Sequence, residues 1–284
     1  EIVNRIGIAE AVGMARDYAD EAGLDLPTWF AGRDTPFEFS YVDVEIDSGI
    51  ATVRLNRPEA MNALNVTLVG QLGEAIDELN ERDDVSTIVL DGAGKAFVAG
   101  ADVKFFVDKI RQDSFQEVYD FTAHGHEVLN AIESSPKTTI ALATGLALGG
   151  GLELALACDY RVGTQRTQLR FPETSIGIYP GLGGTQRTTR ICGIGAARYA
   201  VLAGNFMDAG TASALGLLTH LVESSEVSVT VTELALAGKP DERYPGRPAD
   251  ASNPVASFAS AFYSDSNMAA IASGDAPPGF EAED

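Results

Sequence analysis

The sequence predicts an α/β protein in which two strands and a helix recur along the chain. Two observations lead to this fold class. Short β-branched or apolar runs at residues 85–90 and 138–143 are typical of buried strands, and each precedes a segment with helical spacing of apolar residues. Of the 284 residues, 45% are hydrophobic, which is enough to fill a large core. Repeated ββα units predict a spiral of stacked turns.

Residues 1–38 precede this pattern and are predicted to form a helix and a linker. Apolar residues such as Ile6 and Val12 give helical spacing up to about Gly23, where glycine followed by Pro27 ends the helix. Residues 28–39 then contain Gly32 and Pro36, a composition typical of a linker.

Residues 39–225 contain the alternating elements and are predicted to form the main folded core of the chain. Residues 42–46 and 50–55 alternate around a Ser48–Gly49 turn, which indicates a hairpin. Further strands are predicted over 85–90, 138–143 and 160–162, and helices over 64–80, 115–132, 152–157, 184–191, 196–203 and 209–215.

Residues 226–284 carry a weaker signal. Six of the 12 prolines lie between Pro240 and Pro278, with Asp, Glu and Gly between them. This composition predicts loose, extended structure and an incomplete C-terminal segment.

The charge of the chain disfavours several classes of partner. A formal net charge of −21 repels nucleic acid and anionic membranes. Acid excess also maintains solubility at high salt, so the chain is either halophilic or an ordinary acidic protein. No apolar stretch approaches the roughly 20 residues of a membrane span, and the N-terminus lacks a signal-peptide core, so a cytoplasmic location is expected.

Cysteine, histidine and glycine patterns give no metal or dinucleotide site. Cys158 and Cys192 are too far apart for a C-x-x-C pair and are predicted to be buried thiols. The three histidines do not have the spacing of a metal triad. Two glycine pairs begin like G-x-G-x-x-G, but Phe97 and Gln186 occupy the sixth positions. We therefore expect neither NAD nor a metal.

The glycine-rich turns and two glutamates are typical of chemistry on an oxyanion. Gly149, Gly150 and Gly151 open an apolar helix, where bare backbone N–H groups favour a negatively charged oxygen, and Glu153 falls in its first turn. Residues 95–102 form a second small-residue turn that a ligand can approach closely. Glu173 supplies another carboxylate. Two amide donors and two carboxylates predict a site that handles an enolate.

These segments resemble the crotonase, or enoyl-CoA hydratase/isomerase, superfamily over residues 41–222. The matching segments, in family order, are LNRPEAMNAL (55–64), KAFVAGAD (95–102), ALGGGLELA (147–155), FPE (171–173) and PGLGGTQR (180–187). The resemblance implies the crotonase-like spiral of ββα units. Residues 1–38 resemble the tail of a 3-hydroxyacyl-CoA dehydrogenase domain, as found before a hydratase in some bifunctional proteins.

The resemblance also implies roles in catalysis. The N–H groups of Ala99 and Gly150 would bind the thioester oxygen. Glu153 would activate water and Glu173 would protonate C2, whereas the alternative is two structural glutamates. Gly181 would leave space for the catalytic water and bind it.

Coenzyme A would enter as part of the substrate, with no separate cofactor. Arg57 and Lys95 would flank its adenine and phosphates, although each could also be an ordinary surface charge. By resemblance, the remaining residues of the coenzyme site are Ala60, Ala99, Gly100, Ala101, Asp102 and Gly150.

The predicted function is reversible syn-hydration of trans-2-enoyl-CoA to 3-hydroxyacyl-CoA, in fatty-acid oxidation or a related pathway. Both carboxylates are present, and relatives that shift double bonds commonly lack one, which favours hydratase over isomerase. The other alternative is a non-catalytic segment that binds CoA thioesters. Relatives assemble as trimers or hexamers through C-terminal helices, and we expect this chain to be an internal piece that ends before them.

Overall fold

The described residues of the N-terminal unit, residues 1–40, include the helices Ile8–Ala22 and Thr28–Ala31. The computed structural model describes residues 3, 6–32, 39–244 and 252–277 of the chain, and it divides at Ser40 and Tyr41 into two units. Helix α1 spans Ile8–Ala22 and ends at Gly23 in the left-handed conformation (φ 65°), as the sequence predicts. Helix α2 is the short turn Thr28–Ala31. The rest of the predicted linker, with Pro36, lies outside the described residues.

The second unit, residues 41–284, is built on two sheets. The larger has the order β1-β2-β3-β5-β7-β10, in which only the β1–β2 pair is antiparallel. The smaller has the order β4-β6-β8-β9, antiparallel only between β8 and β9. The strands are β1 (Val42–Asp47), β2 (Ile50–Leu55), β3 (Thr87–Gly92), β4 (Ala96–Val98), β5 (Thr138–Leu142), β6 (Leu146–Leu148), β7 (Tyr160–Gly163), β8 (Gln168–Arg170), β9 (Met207–Asp208) and β10 (His220–Leu221).

The helices follow the strand pairs, which confirms the predicted spiral of ββα units. In three turns, β3–β4, β5–β6 and β7–β8, one strand joins the larger sheet and the next joins the smaller sheet before a helix begins. The helices are α3 (Val66–Glu81), α4 (Val103–Arg111), α5 (Phe115–Glu133), α6 (Gly150–Leu156), α7 (Gly184–Arg198), α8 (Ala209–Ala214), α9 (Val227–Ala237), α10 (Pro254–Phe262) and α11 (Asp265–Ser273). Gly193 interrupts α7 at φ 79°, between the two helices predicted there.

The C-terminal part of the chain is more ordered than its proline content predicts. It contains α9, α10 and α11, and the expectation of loose structure throughout is therefore wrong for these residues. Leu234 of α9 joins the core cluster of Val89 and Ile140, and Ala256 and Ala259 of α10 are fully buried. Pro254 lies at the start of α10, where a missing N–H costs nothing. Residues 245–251 and 278–284, with their prolines, lie outside the described residues.

The structure also bears on the two cysteines and on membrane-spanning helices. Cys158 and Cys192 are buried free thiols, and burial raises the pKa of each to about 12. No helix in the described ranges is both long enough and apolar enough to cross a membrane.

Candidate active site

Glu153 lies in the first turn of α6 and is a buried carboxylate. Glu153 is 1% exposed. Its Oε1 accepts hydrogen bonds from the backbone N–H groups of Leu182 at 2.6 Å and Gly184 at 2.7 Å. Burial raises the pKa of Glu153 to about 7, against the opposing effect of the two N–H groups. The carboxylate is therefore held in a fixed position and can change protonation near neutral pH.

Glu173 lies just after β8 and has a different environment. It is 9% exposed, and its buried Oε2 has no hydrogen-bond partner in the described part of the chain. Burial raises the pKa of this carboxyl group. An unpartnered buried oxygen favours the protonated form, because nothing nearby compensates the loss of hydration.

Gly149 brings Glu173 to the start of α6. Its φ of 48° and ψ of −121° are a conformation that favours glycine. A Cβ built there would lie only 2.5 Å from Glu173 Oε1, so a side chain would displace the carboxylate. Glu153 N donates to Gly149 O at 2.9 Å. The backbone at Gly149 thus links the two glutamates.

Arg187 fixes the loop that binds Glu153. The residue Arg187 is 3% exposed. It donates to Leu182 O at 2.7 Å and pairs with Glu133 at 2.7 Å. Because Leu182 N bonds Glu153, Arg187 positions the carboxylate indirectly. Sequence reasoning did not single out Arg187, although it ends the quoted PGLGGTQR segment.

The amide donors differ in part from the expected pair. The Ala99 N–H donates to Met61 O at 3.0 Å and is already occupied, so Ala99 is not the available donor. Ala101 sits in a parallel bridge to Leu64, in which the flanking groups bond: Leu64 N to Gly100 O, and Asp102 N to Leu64 O, both at 2.8 Å. This pattern leaves the Ala101 N–H facing away from Leu64.

The Ala101 and Gly150 N–H groups come close to each other. A Cβ built on Gly150 would lie 3.7 Å from Ala101 N, and Gly150 is the first residue of α6, where its N–H has no helical acceptor. Within the described residues neither N–H donates to the protein. Ala101 and Gly150 therefore present the two neighbouring N–H groups without a protein acceptor, whereas the N–H of Ala99 is bonded to Met61 O.

Asn62 holds these segments together and was missed by sequence reasoning. It is fully buried, with φ at 57°, a conformation that Asn tolerates better than most residues. Its side-chain amide donates to Ala93 O and Ala96 O, each at 2.9 Å, and its Oδ1 accepts Arg57 N at 2.9 Å. The available signal was a polar residue, able to adopt φ > 0, within the LNRPEAMNAL segment.

Arg57 is buried instead of lying on a surface open to phosphates. Its residue is 5% exposed, and its Nη1 pairs with Asp102 at 3.1 Å and donates to Ala63 O at 3.2 Å. Asp102 in turn caps α4 by accepting Lys104 N at 3.2 Å. Arg57 and Asp102 thus brace the turn that carries Ala101, and direct contact with the coenzyme by Arg57 is not supported.

The other coenzyme-side residues have different exposures. Lys95 is exposed, and no ion pair within the described ranges involves it. Ala60 ends a 3₁₀ turn, Pro58–Ala60. The Gly94 backbone lies beside this turn, because a Cβ built on Gly94 would be 3.2 Å from Pro58 Cβ. Gly100 is buried, with φ at 90°. Of these residues, Gly100 directly precedes Ala101 in the chain.

Gly181 lies in a cleft next to the Glu153 loop. The cleft has a volume of about 560 Å³, and its lining includes Tyr119, His126, Tyr179 and Gly183. A Cβ at Gly181 would meet nothing closer than 3.9 Å. There is space for a water molecule at Gly181, while the nearest carboxylate contact in this loop belongs to its neighbour, Leu182.

Comparison with known proteins assigns the chain to a family. The sequence profile described as "Enoyl-CoA hydratase/isomerase" matches residues 50–273. The chain belongs to this family. The matched range includes the three C-terminal helices. Two similar proteins are the short-chain-enoyl-CoA hydratase of Clostridium acetobutylicum (36% identity; 70% of this chain and 75% of that protein) and the crotonyl-CoA hydratase of Syntrophomonas wolfei (35% identity; 69% and 75%).

A solved structure agrees with this family assignment. The crystal structure of enoyl-CoA hydratase from Bacillus anthracis has a TM-score of 0.65 to this chain at 26% identity. The similarity covers 84% of this chain and 98% of that one. The predicted crotonase fold is thus confirmed by an independent structure.

Proposed function

We propose that this chain is an enoyl-CoA hydratase, a carbon–oxygen lyase that reversibly adds water to trans-2-enoyl-CoA. The observation that carries the proposal is the pair of buried glutamates with raised pKa values beside two unoccupied amide donors. Hydration needs a base, an acid and stabilisation of an enolate oxygen, and these groups provide all three. The similarity to hydratases from Clostridium and Syntrophomonas supports the same reaction.

The first half of the reaction uses Glu153 and the two amides. Glu153, ionised, takes a proton from water while the water oxygen bonds to C3 of the substrate. The C2–C3 π electrons move toward the carbonyl, and negative charge collects on the thioester oxygen. The N–H groups of Ala101 and Gly150 would stabilise that oxygen, and one such donor contributes roughly 3–4 kcal/mol in known enzymes.

The second half uses Glu173. Its protonated carboxyl group donates a proton to C2, the carbonyl re-forms, and 3-hydroxyacyl-CoA results. Transfer of the proton from Glu153 back to Glu173 restores the starting state. The environments support this division, because the N–H groups of Leu182 and Gly184 stabilise ionised Glu153, whereas Oε2 of Glu173 has no such donor in the described residues.

A single assay tests the reaction and separates it from the alternatives. Purified protein is incubated with crotonyl-CoA, and the loss of conjugated-thioester absorbance is followed. We expect loss of absorbance with formation of 3-hydroxybutyryl-CoA. Binding without turnover would instead favour a non-catalytic CoA-thioester-binding segment. A 3-enoyl product without added water would favour an isomerase.

The choice of Ala101 over Ala99 has its own test. A crystal structure with acetoacetyl-CoA, a stable analogue of the product, locates the thioester oxygen directly. We expect that oxygen within hydrogen-bond distance of Ala101 N and Gly150 N, with the Ala99–Met61 bond intact. A thioester oxygen bonded to Ala99 N, with that bond broken, would restore the original assignment.

The biological setting is a separate proposal from the reaction. It comprises fatty-acid oxidation, a cytoplasmic location, a high-salt source, a trimer or hexamer, and association with a 3-hydroxyacyl-CoA dehydrogenase. Its support is the net charge of −21 and the family assignment. Light scattering would give the mass in solution. A melting temperature that stays flat from low to molar potassium chloride would remove the high-salt proposal, because screening should relieve self-repulsion.

A further inference from the structure

A second cavity lies beside β7 and β10, apart from the glutamates and the amide donors. Its volume is about 430 Å³, and its lining includes Arg161, Ser213, His220, Glu242 and Arg243. None of the residues proposed for catalysis lines it. The cavity therefore has to be explained by its own chemistry.

Arg161 is the unusual group in this lining, because it is a buried cation that pairs with no carboxylate of the described residues. Its residue is 3% exposed, and its guanidinium donates only to backbone carbonyls, from Nε to Leu217 O at 2.8 Å and from Nη1 to Cys158 O at 3.0 Å. Within the described residues Arg161 makes no ion pair, and its side-chain hydrogen bonds come from Nε and Nη1 and not from Nη2. Burial lowers the pKa of Arg161 to about 10, so the group stays charged at neutral pH.

Asp159, which also lines the cavity, is already saturated by other partners. Its Oδ1 accepts Arg243, and its Oδ2 accepts Thr139 N at 2.9 Å, Thr139 Oγ1 at 3.0 Å and Lys239 Nζ at 3.1 Å. Two cations thus balance this one carboxylate. Arg161 itself has no ion pair among the described residues, and a buried charge without a direct partner is costly.

We propose that the cavity binds a small oxyanion, a carboxylate or a phosphate, through Arg161. The flat guanidinium matches the oxygens of both groups, and Nη2 offers the donors that the protein leaves unused. The volume admits a small anion, and the carboxylate of Glu242 in the lining opposes one. The lining sets Arg161 and Arg243 against Asp159 and Glu242, so attraction of an anion depends on the Arg161 guanidinium and not on an excess of positive charge.

The test measures binding of inorganic phosphate, and separately of acetate, to the purified protein by calorimetric titration at constant ionic strength. Ser213→Asp places a carboxylate in the cavity wall and should weaken binding at least tenfold. Ser213→Asn is the matched uncharged control and should retain it. Glu242→Gln removes the opposing charge and should tighten binding several-fold. The tighter of the two probes identifies the chemical class of the ligand.

Other outcomes overturn the proposal. Lys95→Gln controls for phosphate held where the coenzyme is expected, and should leave this binding unchanged. Binding that is lost in Lys95→Gln but retained in Ser213→Asp would place the anion at the coenzyme side. Equal binding in Ser213→Asp and Ser213→Asn, or no measurable binding of either anion to the unmodified protein, would also reject the site.

Discussion

The carboxylate side and the coenzyme side of the active site are built in different ways. On the carboxylate side, the predicted residues have properties suited to proton transfer. Glu153 and Glu173 are buried, and burial raises the pKa of each. On the coenzyme side, two predicted residues bind other parts of the protein. Arg57 pairs with Asp102, and the N–H of Ala99 donates to Met61 O. A residue within a family motif can therefore act on the ligand or only hold the backbone that does.

The largest expected effect is loss of turnover on the carboxylate side. Glu153→Gln and Glu173→Gln keep the shape of the side chain but remove proton transfer, so each should lower kcat by roughly 10²–10⁴-fold. Acyl-CoA affinity should stay near its original value. Steady-state hydration of crotonyl-CoA measures both quantities, with exposed Glu233→Gln as the matched control. Near-normal turnover in either variant would reject the paired-carboxylate mechanism.

A change at Arg57 should act first on stability. Arg57→Gln leaves Asp102 without its ion pair and should lower the free energy of unfolding by about 3 kcal/mol. The turn that carries Ala101 loses its brace, so kcat should fall as well. Urea unfolding and the crotonyl-CoA assay give the two values. Unchanged stability with weaker CoA binding would instead identify Arg57 as a direct ligand of the coenzyme.

Glu153 should decrease stability at the pH at which it is useful. A carboxyl group with a pKa raised by folding favours the native state at low pH, and this contribution is lost as pH rises from its unfolded pKa through about 7. Glu153→Gln should therefore be more stable than the unmodified protein at pH 8, by up to about 3 kcal/mol, but not at pH 4. Thermal melts of both proteins from pH 4 to pH 8 measure this difference in stability. A difference that stays constant with pH would show that folding does not raise the pKa of Glu153.

The pH dependence of catalysis should report the same ionisation. The proposed base must be ionised, so kcat/KM for hydration should decrease roughly tenfold for each pH unit below the pKa of Glu153, which is about 7. The Glu233→Gln variant should have the same profile. A rate that stays constant from pH 8 down to pH 5 would contradict the assignment of Glu153 as base.

The smallest expected effect concerns Lys95, the exposed cation of the coenzyme side. Lys95→Gln should weaken CoA binding roughly fivefold, equivalent to about 1 kcal/mol, as is typical of an exposed charge pair. Stability should not change, in contrast to Arg57→Gln. Equilibrium binding of CoA, repeated at higher ionic strength, measures the effect. Equal affinity at low salt would show that Lys95 is a solvated surface charge.

The sequence was sufficient for the spiral because its signals are local and repeated. Short apolar runs and helical spacing recur between glycine turns, so five of the ten described strands and six of the eleven described helices were predicted to within a few residues. The four short strands of the smaller sheet were missed, because two or three residues carry too little periodicity. The C-terminal region failed for the opposite reason. Pro254 counted against helix by composition, yet at the first helical position proline is tolerated. The burial of Leu234 and Ala256 depends on a core made by distant residues.

The sequence by itself determined the family, the ββα fold and the two glutamates, because each follows from residues close together in the chain. Only the tertiary structure decided which amide is available, since the Ala99 N–H is occupied by Met61, 38 positions earlier in the sequence by number. It also decided that Arg57 is buried in an ion pair with Asp102 and that Arg161 makes no ion pair within the described residues. Hydrogen-bond partners and burial are set by segments that meet only in the folded chain, and local residue patterns do not encode them.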